Sequence, residues 1–99
     1  MTVLNTAQIL AQLRALKPDL YNRYRVNDLA LFGSAARGTH TPVSDIDVLV
    51  DFNESATLFE LVGLGQYLEE HLHCKVDIVP RRSLRPEIRE NVLREAVSV

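Results

Sequence analysis

Cysteine is nearly absent: Cys74 is the single one in 99 residues, so no internal disulfide can form and no paired framework braces the chain. That usage suits a reducing cytosol. No apolar run approaches the roughly 20 residues needed to span a bilayer. Met1 to Leu10 lacks the basic and long apolar regions of a secretory signal. A cytoplasmic protein without membrane association is therefore expected. Excess charge is scarce too, the formal net charge being −2, so no overall pull towards nucleic acid or anionic lipid exists. Direct nucleic-acid binding is not expected. No internal repeat, low-complexity tract or linker is visible.

What is present is the material of a core. Hydrophobic residues make up 46% and charged residues 24%, the composition of a folded domain rather than of a disordered segment. At this length one domain over residues 1–99 is expected.

Hydrophobic spacing gives an outline. Ile9, Leu10, Leu13 and Leu16 recur at helical intervals and predict a helix over Thr6 to Leu16. Pro18 is expected to end it, or to start a second short helix through Leu20 and Tyr24. Val26 to Phe32 reads as a strand running into Gly33, and Ser34 to Arg37 as a helical turn closed by Gly38. Thr39 to Ser44, with Pro42 inside it, reads as a loop. Ile46 to Phe52 is the clearest strand, with Ile46, Val48, Val50 and Phe52 alternating against Asp45, Asp47, Leu49 and Asp51.

Thr57 and Glu60 form a capping box. The helix it opens is expected to bury Leu58, Leu61, Val62, Gly65, Leu68 and Leu72. A third strand is predicted over Cys74 to Val79, stopped by Pro80. Pro86 then begins a last helix, with Ile88, Val92, Leu93 and Ala96 on its inner side. This alternation predicts an α/β fold: a small mixed sheet with helices packed on it.

Four features bear on chemistry. Gly33-Ser34 sits at a strand-to-helix turn, where a missing side chain and free N–H groups favour phosphate; an ordinary turn uses the same residues. Asp45 and Asp47 fall on one face at the head of a strand, with Ile46 between them pointing inwards. Two carboxylates held that close repel unless a cation lies between them, and hard oxygen donors suit Mg²⁺. A solvated strand edge is the competing explanation. Asp77 can join that pair if its strand lies beside theirs, although a lone acid on a strand is commonly just exposed. Arg37, one turn after Ser34, can grip a phosphate oxygen in bidentate fashion or serve as a surface charge.

Together these residues carry a resemblance. Gly33-Ser34, ten residues, then Asp45-x-Asp47 is the Gly-Ser…Asp-x-Asp signature of the DNA polymerase β superfamily. Asp77 stands where that superfamily places its third carboxylate. The stretches Leu31 to Gly38 and Ser44 to Phe52 closely resemble the minimal nucleotidyltransferase (MNT) family. So does the tail from Leu84 through Pro86, Ile88 and Arg89 to Glu95-Ala96. The likeness covers nearly the whole chain and departs from the pattern at no signature position.

The resemblance implies a polymerase-β-like fold and a two-metal transfer of a nucleoside monophosphate. In it Asp45 and Asp47 hold two Mg²⁺ ions. Asp77 completes the metal nearer the acceptor and helps deprotonate its hydroxyl. Gly33 and Ser34, with Arg37, bind the triphosphate of ATP, and pyrophosphate leaves. It further implies an antitoxin that adenylylates a tyrosine of a HEPN-type ribonuclease toxin. An antitoxin acting by contact alone is the competing class, but a pure binder has no need of clustered acids. A small-molecule acceptor is disfavoured, because so short a chain has no second domain to build its pocket.

Other residues invite weaker readings. His71-x-His73-Cys74 offers three nearby ligands with no fourth, a poor structural zinc site, and Cys74 reads better as a buried filler. Tyr21, Tyr24 and Tyr67 are either packing residues or acceptors of self-modification. Arg81, Arg82, Arg85 and Arg89 form a solvated face or a docking surface, expected near the opening of the site.

Overall fold

The structure, a computed structural model, describes residues 4–99. In chain order its elements are α1 (Thr6–Tyr24), β1 (Val26–Phe32), α2 (Gly33–Arg37), β2 (Ile46–Phe52), α3 (Leu58–Leu72), β3 (Val76–Pro80), a 3-10 turn (Arg81–Ser83), α4 (Pro86–Glu95) and β4 (Val97–Ser98). The sheet is mixed, in the order β3-β2-β1-β4. β1 runs antiparallel to β2 and to β4, while β2 and β3 are parallel.

Alternation along β2 sorts the two faces of the sheet. Ile46, Val48 and Val50 point to one side and join Ile9, Leu13 and Leu20 of α1 and Leu64, Leu68 and Leu72 of α3 in the core cluster. Asp47, Leu49 and Asp51 take the other face by the same alternation. Leu49 and Leu84 are buried outside that cluster.

α1 starts at a capping box unforeseen in the sequence: Asn5 Oδ1 accepts from the Gln8 N–H at 2.8 Å and the Asn5 N–H donates to Gln8 Oε1 at 2.9 Å. The expectation that Pro18 ends this helix, or opens another, is not met; α1 continues through it. Pro18 deprives the Arg14 carbonyl of its donor, but both residues are exposed, so water can take the donor's place. Leu13 and Leu20, both buried, press the two halves of the helix onto the same core.

The capping box of α3 forms as expected: the Thr57 hydroxyl accepts from the Phe59 N–H, and Glu60 Oε2 accepts from the Thr57 N–H at 2.8 Å. Its buried face, however, is rotated. Leu64, Tyr67, Leu68 and Leu72 are buried, whereas Leu58 and Val62 are exposed. The helix has α1 as a second neighbour, and Tyr67 faces it, donating its hydroxyl proton to Asp19 Oδ2 at 2.9 Å. Tyr67 also packs on Tyr24, with ring centroids 5.3 Å apart, so it is a packing residue.

α4 departs from expectation as well. None of its residues is fully buried, Ile88 is about half exposed, and Ala96 follows the helix as its C-cap. It packs against α2 rather than offering a face to the main core. After it comes β4, absent from the expected outline, whose two residues are too few to show a period. Ala30 pairs with Ser98 and Leu31 with Val97. β3 begins at Val76 rather than Cys74 and includes Pro80, which an edge strand tolerates. No helix among the described residues is long and apolar enough to cross a membrane.

Candidate active site

Strand pairing assembles the carboxylates. Phe32 at the end of β1 lies opposite Asp47, and Asp47 lies beside Asp77 on the parallel neighbour. The Ile46 N–H donates to the Lys75 carbonyl at 2.9 Å, closing β2 onto the start of β3 between Asp45 and Asp77. Glu69 of α3 accepts from the Val76 N–H at 3.1 Å, which fixes the strand head that carries Asp77. Val76 and Ile78 pack against the core, and Asp77 is exposed.

Gly33 joins β1 to α2 at φ 71°, in the left-handed region. A Cβ there would overlap Asp47 Oδ2. Two independent constraints thus call for glycine, one on the backbone angle and one on space. α2 is held from three sides. Gly38 closes it at φ 75°, its N–H donating to the Ser34 carbonyl. The Thr39 N–H reaches the same oxygen at 3.0 Å, and the Thr6 hydroxyl donates to the Ala35 carbonyl at 2.6 Å. Asp45 leaves a tight turn in which the Thr41 N–H donates to Ser44 Oγ and the Ser44 N–H to the Thr41 carbonyl, each at 3.0 Å.

Asp47 is the electrostatic centre. Burial holds its carboxyl above the usual range, the charges of Asp77 and then Asp45 push the same way, and Arg37 opposes them. Asp45, Asp77 and Arg37 are therefore each within electrostatic reach of Asp47, and Gly33 lies against Asp47. As they stand, no three acidic, histidine or cysteine side chains among the described residues form a metal cage. Asp45, Asp47 and Asp77 carry like charges that repel one another when no cation screens them. Their oxygen donors and surplus negative potential are what a hard divalent cation would neutralise.

Arg37 lies beside this group but is engaged elsewhere, 3.1 Å from Glu95 Oε2 of α4, with both side chains about half exposed. Sequence reasoning missed Glu95, Glu69 and Thr6 as supports. Thr6 and Glu95 act across long stretches of chain and Glu69 across the turn from helix to strand, none of which a local period encodes. His71, His73 and Cys74 line a cavity of about 470 Å³ with Leu4, His40 and Ile46. Ile46 points to the helix side of β2, so this cavity backs the strand rather than opening on Asp47. Burial pushes the Cys74 thiol up, and Glu69 adds to the shift, which suits a filler rather than a nucleophile.

Residues 9–99 match the nucleotidyltransferase domain family. The chain belongs to that family. Among curated members it is 40% identical to the protein adenylyltransferase MntA of Thermococcus cleftensis, over all of both chains. A Methanocaldococcus jannaschii relative is 34% identical, over 94% of this chain and 96% of its own. A solved structure assigned as a minimal nucleotidyltransferase superposes with a TM-score of 0.86 at 37% identity, over all of both chains. A chain in a toxin–antitoxin crystal structure with AMP-PNP superposes at 0.68 and 28% identity, over 96% of this chain and 72% of that one. The fold is therefore the minimal nucleotidyltransferase fold, reached here through the β3-β2-β1-β4 sheet.

Proposed function

We propose that this nucleotidyltransferase transfers AMP from ATP to a protein, a tyrosine of a HEPN-type ribonuclease toxin, and acts as its antitoxin. The observation that carries the reading is the grouping of Asp45, Asp77 and Arg37 around Asp47, with Gly33 in contact. The adenylyltransferase activity of the Thermococcus cleftensis relative supports AMP as the transferred group. The related chain in a toxin–antitoxin with AMP-PNP supports both the triphosphate and the class of partner.

In this reading Gly33 and Ser34 hold the β- and γ-phosphates, because at Gly33 the backbone alone can come close. Arg37 exchanges Glu95 for a phosphate oxygen. Asp45, Asp47 and Asp77 are the donors for two Mg²⁺ ions, which supply charge stabilisation on the attacking and leaving oxygens. Asp77, outermost and exposed on β3, faces the acceptor and takes the proton of its hydroxyl. The acceptor hydroxyl then bonds to the α-phosphorus as the bond to pyrophosphate breaks.

Intact-mass measurement of the toxin after incubation with ATP, Mg²⁺ and this protein tests the proposal. One or more additions of an AMP unit are expected, none with an Asp47→Asn variant. A toxin that is bound and inhibited yet unmodified would replace this reading with an antitoxin acting by contact alone.

A further inference from the structure

Three neighbouring exposed apolar side chains lie at the other end of the sheet from the carboxylates. Leu58, Phe59 and Val62 are 72%, 88% and 50% exposed and share one face of the first turns of α3, at helical spacings of three and four. Beside them Leu58 and Leu61 help to line a groove of about 310 Å³ with Phe52, Pro80 and Arg82. The surface is firmly built. The capping box starts the helix, and Arg25 clamps it from outside, Nε 3.2 Å from Glu60 and Nη1 2.6 Å from Ser55 Oγ.

Charge decides what fits there. Arg82 lines the groove and Arg81 precedes it; both are exposed, and neither has a carboxylate partner among the described residues. Two copies meeting isologously would oppose these arginines to one another. A segment with a large apolar side chain set between carboxylates satisfies both the groove and its rim. Bare clusters of large apolar side chains mark interaction sites more often than chance exposure.

Position decides what the contact does. β2 and β3 are parallel and both begin at the carboxylate end, so their far ends, Phe52 and Pro80, border the groove. Phe52 lies five steps of extended strand beyond Asp47, about 17 Å. A partner held here does not touch the reacting atoms. It keeps its acceptor side chain at high local concentration instead.

We infer that the groove between α3 and the β3 end is an exosite for the protein that accepts AMP, taking an acidic-apolar segment of it remote from the modified residue. The inference rests on the proposed function for the identity of that partner.

Toxin binding by calorimetry and steady-state AMP transfer on wild type, Phe59→Ser and Arg81→Glu/Arg82→Glu test it. Both variants are expected to weaken toxin binding and raise the KM for toxin about tenfold or more. Their kcat at saturating toxin and their KM for ATP should stay at wild-type values, and so should their melting temperatures. Unchanged binding and KM in both variants would overturn the exosite while leaving the adenylyltransferase standing. Loss of kcat with KM unchanged would do the same. A concentration-dependent dimer of the chain alone, dissolved by Phe59→Ser, would instead make this face a self-interface. A wild type that binds toxin but transfers no AMP would overturn the enzyme reading, and the binding arm would still decide the groove. No binding at all would remove the partner and the exosite together.

Discussion

Gly33 and Asp47 are in such close contact that a methyl group on the Gly33 α-carbon would overlap Asp47 Oδ2 and lie 3.3 Å from Asp47 Cγ. The Gly33 turn, proposed to hold phosphate, and the Asp47 carboxylate are thereby one mechanical unit. Gly33→Ala combines this overlap with a left-handed φ that costs a side-chain residue about 1–2 kcal/mol. The variant should lose transfer by about 100-fold or more, as a displaced catalytic group does. Its melting temperature should fall by about 4–8 °C for each kcal/mol lost. Thermal melts with initial-rate assays check both. Wild-type activity with an unshifted melt would mean that the turn gives way freely.

With Asp45, Asp47 and Asp77 as the proposed donors, a divalent cation is expected to act as a folding ligand. Titrating Mg²⁺ or Mn²⁺ should raise the melting temperature, more with ATP present, since a ligand at 100 times its Kd adds about 2.7 kcal/mol. In an Asp45→Asn/Asp47→Asn protein the rise should vanish. Scanning fluorimetry measures it, and a wild type indifferent to cation and nucleotide together would remove Asp45 and Asp47 from the site.

Without divalent cations, Asp47 should also shape the dependence of stability on pH. Its carboxyl titrates above the usual range in the folded protein, so between the unfolded and folded values the native state binds more protons. Its contribution to stability therefore falls as pH rises through that window, and at neutral pH the ionised group is a cost. Asp47→Asn should then be more stable than wild type at pH 7, with the advantage shrinking as acid protonates the wild-type side chain. Chemical denaturation at several pH values in EDTA reads this out. An asparagine variant less stable than wild type at pH 7 would contradict the repulsion.

Asp77 and Ser34 should divide the work differently. Asp77→Asn is expected to keep ATP binding and lose transfer by about 100-fold or more, the scale of a general base. Ser34→Ala would remove the proposed hydrogen bond to a charged phosphate, about 1.5–3 kcal/mol, and should appear mainly as weaker ATP binding. Calorimetric ATP titration beside a transfer assay separates them. Transfer at the wild-type rate by Asp77→Asn would remove it from the acceptor side.

How legible all this was varies by element. β2, written as alternating Ile46, Val48 and Val50 against Asp45, Asp47 and Leu49, is the strand the pattern predicts, because side chains alternate between its core face and the face that carries the acids, where Leu49 alone is buried. The Thr57–Glu60 box and the Gly38 cap were equally visible, since each is a bond within one turn of chain. Pro18 misled because its penalty is local, while the burial of Leu13 and Leu20 that outweighs it is tertiary. The α3 stripe misled because a helix with two neighbours buries a wider and differently aimed arc than periodicity reveals.

The sequence by itself determined which groups are available for chemistry: a glycine where φ must be positive, two acids of one parity at a strand head and a third acid on another strand. Tertiary structure alone decided that the third acid stands beside the second, because register between β2 and β3 is set by pairing and core packing rather than by either strand. It also decided that Arg37 reaches Glu95, and that Arg81 and Arg82 lie at the far end of the sheet rather than near the opening of the site. That last correction has a simple cause. β3 runs parallel to β2, so a chain that passes Asp77 at one end must emerge at the other, and no local pattern states the direction of a neighbouring strand.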